Sequence, residues 1–137
     1  MITPVPVPRS PVRAGAAPRR QVLVVDDDRD IRETLEEILA SEGYQVATAR
    51  NGADALQKAR ELHPGLILLD LFMPVMDGIE FRRRQRQDPE IEDVPVVVVS
   101  AAAGLEERVA ALGVDLHLEK PLHIEDLLDV VSRFCGA

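Results

Sequence analysis

The sequence predicts a doubly wound α/β fold, a five-stranded parallel sheet with helices on both faces. Three observations indicate this fold. Short apolar runs alternate with amphipathic segments from residue 21 onward. The apolar runs are continuous, which is typical of parallel strands buried on both faces. The connections are short, and this favours right-handed crossovers between parallel strands.

The first predicted strand and helix begin at Gln21. QVLVVD is the strand, and DDRDIRETLEEILASEG follows it as a helix. Asp27 or Asp28 can cap the start of this helix, and Gly43 can end it. The apolar residues of the segment fall on one helical face: Ile31, Leu35, Ile38 and Leu39.

The strand and helix pattern then repeats. YQVATA predicts a second strand, and NGADALQKARELHP predicts a helix that is capped by Asn51 and stopped by Pro64. GLILLDL predicts the third strand and PVVVVS the fourth. The fourth run has no polar residue before its serine, so we place it at or near the centre of the sheet.

The last elements are helices in GIEFRRRQRQDP, LEERVAAL and HIEDLLDVVSRF and a strand in DLHLEK. The first of these helices has little apolar surface, because Ile79 and Phe81 are followed by four arginines. It is either a surface helix whose arginine stems lie along the sheet or a basic contact patch for an acidic partner. Five-stranded doubly wound sheets commonly take the flavodoxin-like order 2-1-3-4-5, with ligands beyond the carboxyl ends of the strands.

The 137 residues favour one folded domain. Residues 1–20 hold four arginines, five prolines and no acidic residue, whereas the rest holds 12 basic and 24 acidic residues, a formal charge of −12. We expect residues 1–19 to be a flexible Pro/Arg-rich tail and residues 20–137 to be the domain. A docking peptide is the alternative interpretation of the tail. The acidic body should repel nucleic acid.

The cellular compartment follows from the cysteine content and from hydropathy. Cys135 is the only cysteine, which excludes an intramolecular disulfide and favours a reducing compartment. No apolar run approaches the ~20 residues that span a bilayer, and the first 20 residues lack the apolar stretch of a secretory signal. We therefore expect a cytoplasmic protein without membrane insertion.

Polar residues follow four of the predicted strands: Asp26, Asp27, Asp28, Asp70, Ser100 and Lys120. Carboxylates that converge raise one another's pKa unless a cation lies among them, and Mg²⁺ prefers such oxygen ligands. A carboxylate beside Mg²⁺ can act as a nucleophile toward phosphorus. The pattern favours Asp70 as that nucleophile and Asp26 and Asp27 as metal ligands. Lys120 and Ser100 would then contact the transferring phosphoryl group.

Two other interpretations stay open at this point. The acidic run after the first strand can be simple helix capping, and a lone strand-end aspartate or serine is often a turn former. Alternatively, Asp26 and Asp28 form a D-x-D pattern, which would suit a small Mg²⁺-dependent phosphatase with an aspartate nucleophile.

The motifs VLVVDDD, LILLDLFMPVMDG, VVVVSA and EKPL closely resemble the receiver domain of two-component response regulators. The resemblance implies a phosphoacceptor rather than an enzyme, which assists its own phosphorylation and dephosphorylation. A sensor histidine kinase or a phosphotransfer protein would donate the phosphoryl group to Asp70. Mg²⁺ would be bound by Asp27, Asp70 and the backbone carbonyl of Phe72, and through water by Asp26.

The resemblance also implies how the signal leaves the domain. Ser100 occupies the position of the switch hydroxyl, and His117 occupies the position of an aromatic switch residue. The output surface would be the fourth helix, fifth strand and fifth helix, which would bind a downstream protein target and would support a monomer or a weak dimer. Because the fifth helix ends the sequence, a stand-alone, chemotaxis-regulator-like receiver is expected.

Three features depart from the family pattern. His117 is not the usual Tyr or Phe, and the 20 positions from Ser100 to Lys120 are slightly few, so the fourth helix or the loop before it should be trimmed. These two departures keep open a receiver that docks partners independently of phosphorylation. Arg82 and Gln85 stand where receivers generally bury apolar side chains, and loose packing of the third helix is expected.

Overall fold

The computed structural model describes residues 20–101 and 106–136, which form five strands and five helices in alternation. The elements are β1 (Gln21–Val25), α1 (Arg29–Ser41), β2 (Gln45–Ala49), α2 (Gly52–Leu62), β3 (Leu66–Leu69), α3 (Gly78–Arg86), β4 (Val96–Ser100), α4 (Glu106–Ala111), β5 (Leu116–Glu119) and α5 (Ile124–Cys135). All neighbouring strands are parallel, in the order β2-β1-β3-β4-β5. The predicted doubly wound α/β sheet is confirmed. The predicted tail, residues 1–19, lies outside the described residues.

The sheet separates two apolar cores, because successive residues of a strand point to opposite faces. On β1, Leu23 and Val25 belong to the core beneath α2, α3 and α4, whereas Val22 and Val24 belong to the core beneath α1 and α5. β3 and β4 are buried along their whole length, as their continuous apolar runs predict.

Side-chain caps begin the first two helices. The Asp28 carboxylate accepts hydrogen bonds from the backbone N–H groups of Asp30 and Ile31, so Asp28 rather than Asp27 is the cap of α1. Asn51 caps α2, as predicted. Gly43, with φ 91°, follows the end of α1 and adopts a conformation that favours glycine. No described helix is long and apolar enough to cross a membrane.

Gln85 is a fully buried polar residue of α3. Its side-chain amide donates to the backbone carbonyls of Ile91 and Val94, both at 3.0 Å. These carbonyls lie in the segment between α3 and β4, which has no strand partner there. The Val94 N–H also donates to the Ile91 carbonyl at 3.1 Å, so the Gln85 side chain adds to this backbone turn and holds the segment against α3.

Arg82, also buried, ties α3 to the end of α4. Its guanidinium donates to the carbonyls of Leu112 at 3.0 Å and Gly113 at 2.7 Å, and to Gln85 Oε1 at 2.7 Å. Loose packing of α3 was expected from the sequence. The structure does not show it, because the polar side chains of Arg82 and Gln85 are both hydrogen bonded.

The exposed arginines of α3 are paired with an acidic neighbour. Arg83 and Arg84 both form ion pairs with Glu80, and these hydrogen bonds lower the pKa of the Glu80 carboxyl to about 2. The pairing favours the surface-helix interpretation over an open basic patch.

Candidate functional site

The carboxyl ends of β1 and β3 are level with each other, and this brings two aspartates side by side. Val25 pairs with Leu69, so Asp26 and Asp70 occupy the next position on each strand. The backbone N–H of Asp70 donates to the Val25 carbonyl at 2.9 Å, which extends the ladder to this point. Both aspartates are buried, at the edge of the sheet where doubly wound folds bind ligands.

Asp27 completes a cluster of three carboxylates. Ligand oxygens of Asp26, Asp27 and Asp70 all lie within 4.8 Å of one another. Asp27 is exposed, so the cluster opens to solvent on one side. Mg²⁺ is usually held by a few carboxylates while it keeps several waters. The donor set and its open side therefore fit Mg²⁺.

Lys120 brings a positive charge to this cluster. Its Nζ lies 2.8 Å from Asp26 Oδ2 and 3.9 Å from Asp70 Oδ2. The backbone N–H of Lys120 donates to the Ser100 carbonyl at 2.8 Å, which holds the start of the β5–α5 loop against the end of β4. One ammonium group among three carboxylates leaves an excess of negative charge, which favours a cation.

Asp70 lies where its own charge is disfavoured. Burial raises the pKa of its carboxyl above the usual value, Lys120 opposes this shift, and the Asp26 carboxylate adds to it. The Phe72 backbone N–H donates to Asp70 Oδ1 at 3.3 Å and lowers the pKa somewhat. The pKa remains raised, and a divalent cation would relieve the cost of ionising Asp70.

Gly78 permits the backbone to pass close to Asp70. A Cβ atom at this position would overlap the Asp70 carbonyl oxygen and lie 2.9 Å from Leu71 Cα. The Gly78 N–H donates to the Leu71 carbonyl at 2.9 Å, and Asp77 caps α3 directly before it. Gly78 is thus part of the site, and its only signal in the sequence is the Asp-Gly pair at the end of LILLDLFMPVMDG.

Asp28, the third aspartate after β1, is not part of the cluster. Its carboxylate caps α1, and its backbone N–H donates to Asp26 Oδ1 at 2.9 Å. A D-x-D phosphatase would need the Asp28 carboxylate at the reaction centre beside that of Asp26. The capping role of Asp28 therefore disfavours that interpretation.

The two candidate switch residues lie on neighbouring strands. Ser100 is the last residue of β4 and is fully buried. His117 pairs with Val98 and so faces the core beneath α2, α3 and α4. The buried His117 Nε2 has no hydrogen-bond partner within the described part of the chain. The switch roles of both residues stay predictions.

Two features of the site were not predicted. Arg32 Nη1 donates to the Asp26 backbone carbonyl at 2.7 Å, one turn after the cap of α1. An apolar groove of about 660 Å³, which we call the α1–α5 groove, lies beside Lys120. Its aliphatic walls come from both helices and from the loop before α5: Ile31, Leu35, Ile38, Leu122, Ile124 and Leu127. The signal for this groove is an apolar residue, Ile124, at the start of α5.

Known proteins resemble this chain over most of its length. A family model described as the response regulator receiver domain matches residues 22–132. Response regulator MprA of Mycobacterium sp. (strain KMS) is 41% identical over 110 residues, which are 79% of this chain and 47% of the relative. The chain thus spans about half the length of the curated relatives it matches.

Two solved structures show the same fold. Chemotaxis protein CheY4 of Vibrio cholerae is 33% identical with a TM-score of 0.77, and the match covers 87% of this chain and 99% of that one. The receiver domain of sensor histidine kinase PA1611 of Pseudomonas aeruginosa PAO1 is 27% identical with a TM-score of 0.78, over 89% and 100%. That receiver holds a magnesium ion coordinated in its active site cleft.

Proposed function

Because the chain belongs to the response regulator receiver family, we propose that Asp70 accepts a phosphoryl group from a sensor histidine kinase or a histidine phosphotransfer protein. The observation that carries this proposal is the cluster of three carboxylates beside Lys120. An Asp70 carboxylate oxygen attacks the phosphorus of a phosphohistidine. The P–O bond forms as the P–N bond breaks, and the imidazole leaves with the electron pair.

The proposed Mg²⁺ ligands are Asp27, Asp70 and the backbone carbonyl of Phe72, with Asp26 acting through a water. The carboxylate cluster and the raised pKa of Asp70 support this set. When bound, the ion neutralises negative charge on the phosphoryl oxygens.

Lys120 is proposed to stabilise the phosphorylated state. Its ammonium is closer to Asp26 than to Asp70, and its flexible stem allows it to shift. A phosphoryl group on Asp70 adds acceptor oxygens on the side where Lys120 already lies. The lysine then pairs with those oxygens and loosens its contact with Asp26.

Ser100 and His117 are proposed to transmit phosphorylation to a surface formed by α4, β5 and α5. Ser100 lies at the end of β4 on the same sheet edge as Asp70, and His117 lies on β5 beneath α4. The proposed readout is binding of a downstream protein by a single-domain regulator, a monomer or a weak dimer through this face. The proposed division of the chain is a tail over residues 1–19 and a receiver domain over residues 20–137.

The test is chemical phosphorylation of the full chain by acetyl phosphate with Mg²⁺. We expect intact mass spectrometry to show one added phosphoryl group on the wild type and none on Asp70→Asn. Asp28→Asn is the matched control and should be labelled like the wild type, because asparagine also caps helices. Equal labelling of the wild type and Asp70→Asn would refute the assignment of the nucleophile.

A second candidate function is docking that does not depend on phosphorylation. The observation that favours it is His117, which stands where the family usually has Tyr or Phe and whose Nε2 has no hydrogen-bond partner among the described residues. Pull-down of partners with and without beryllofluoride and Mg²⁺ separates the two functions. Identical partner sets would favour constitutive docking, and a set that changes with beryllofluoride would favour the phosphorylation switch.

A further inference from the structure

The chain enters the described domain at Arg20, between the C-terminal ends of α1 and α5. The Arg20 guanidinium donates to the Glu42 carbonyl after α1 at 3.3 Å and to the Gly136 carbonyl after α5 at 3.1 Å. It also lies over the Tyr44 ring, 4.4 Å from its centroid. Residue 19 is therefore attached at the end of this helix pair that is remote from Asp70.

The α1–α5 groove lies between the same two helices and extends to the phosphorylation site. Its walls are mostly aliphatic, and Lys120 and Pro121 line it at the carboxyl end of β5. Ile124 is 54% exposed there, which is unusual for a large apolar side chain in this domain. The groove is thus an open apolar surface that begins beside the catalytic lysine.

The charge around this groove is complementary to that of residues 1–19. The exposed residues of α1 and α5 include seven acidic and two basic side chains. The two basic ones, Arg29 and Arg133, are already paired with acidic neighbours on their own helices. Residues 1–19 contain three arginines, five prolines and no acidic residue. An apolar, basic segment therefore matches the apolar walls of the groove and the excess negative charge of its two helices.

The length of the segment is sufficient. α1 has 13 residues and is therefore about 20 Å long at 1.5 Å per residue. An extended proline-rich chain rises about 3.1 Å per residue, so about seven residues cover that distance. Attachment at Arg20 also gives the segment an effective concentration on the order of millimolar.

We propose that residues 1–19 bind in the α1–α5 groove of their own domain. Valine and proline side chains cover Ile31, Ile38 and Ile124, and the arginines pair with exposed acidic side chains of α1 and α5. The bound segment covers the open apolar surface beside Lys120.

The test is paramagnetic relaxation enhancement in the full chain with a nitroxide on Ser10→Cys. Selective labelling is possible because Cys135 is fully buried and burial raises the pKa of its thiol to about 11. We expect strong loss of methyl signal from Ile31, Ile38 and Ile124. Ile79 and Ile91, on the opposite face of the sheet, should keep their signals.

Matched variants decide the outcome. Ile124→Asp should restore the Ile31 and Ile38 signals, whereas Val75→Asp should not, since Val75 is 88% exposed and lies outside the groove. Equal signal loss on both faces, or no effect of Ile124→Asp, would overturn the proposal. Loss that appears only between differently labelled chains would assign the groove to a second copy and would also overturn it. Acetyl phosphate labelling of Asp70 tests the proposed function separately, because it does not need the groove.

Discussion

The domain buries polar side chains in two places, and the two places differ in how well those side chains are partnered. In α3, Arg82 and Gln85 are joined to each other and to backbone carbonyls by hydrogen bonds. At the sheet edge, Asp26 and Asp70 lie close to a third carboxylate with Lys120 as their ion-pair partner. A partnered buried network stabilises a fold, whereas surplus like charge is typical of a functional site. The partners of buried polar side chains therefore distinguish groups that stabilise the fold from groups that form a functional site, without reference to sequence motifs.

Gln85→Leu should give the largest effect, a loss of about 2–4 kcal/mol in the free energy of unfolding. The leucine leaves the Val94 carbonyl buried without its side-chain donor, at about 1–3 kcal/mol, and removes one of two hydrogen bonds to the Ile91 carbonyl, at about 0.5–1.5 kcal/mol. Urea denaturation measures the loss. Arg83→Met, on the exposed side of α3, is the matched control and should change stability by no more than about 0.5 kcal/mol. A stable Gln85→Leu variant would show that the network does not hold α3.

Mg²⁺ should raise the stability of the wild type by about 1.4 kcal/mol at ten times its Kd. The same increase is expected in Gln85→Leu. The hydrogen bonds of Gln85 and the carboxylate cluster share no residue, and the effects of changes at separate sites are additive. Asp27→Asn should reduce it. Thermal unfolding with and without EDTA provides the measurement, and an increase unaffected by Asp27→Asn would place the ion elsewhere.

Asp70→Asn should stabilise the metal-free protein by about 0.5–2 kcal/mol, the range typical of single stabilising substitutions. Burial above all raises the pKa of the Asp70 carboxyl over its usual 3.8, so the folded protein holds this proton more tightly than the unfolded chain. The associated stability is present at acid pH and is lost as the pH rises through the folded pKa.

The advantage of Asp70→Asn should therefore be absent below the usual aspartate pKa and should grow as the pH rises above it. Urea denaturation at several pH values, in EDTA, measures this trend. An advantage that does not change with pH would mean that the buried charge is not its cause.

His117→Phe should give the smallest effect, a gain of up to about 1 kcal/mol. The phenyl ring replaces a buried nitrogen that has no hydrogen-bond partner among the described residues. His123→Gln is the control, because His123 is exposed and makes no side-chain cap hydrogen bond at α5. If His117→Phe loses stability instead, His117 belongs with Arg82 and Gln85 as a partnered group.

Much of the fold and the site could be predicted because the signals are local or follow from topology. The apolar runs give the strands, and parallel strands necessarily place the residues that follow them, such as Asp26 and Asp70, at one edge. The hydrogen bonds of Arg82 and Gln85 to the backbone could not be predicted. Their acceptors are backbone carbonyls of other segments, and a backbone carbonyl is present at every residue, so the sequence does not mark it. The choice between Asp27 and Asp28 as the cap also depended on which carboxylate turned toward the helix.

Arg82 has a consequence for α4. A helix of six residues has too few internal hydrogen bonds to persist alone in water. The carbonyls that follow its last turn are held by a guanidinium from α3. Any change that loosens Arg82 would let this short helix fray, so the shape of the proposed α4, β5 and α5 binding surface depends on a neighbouring helix.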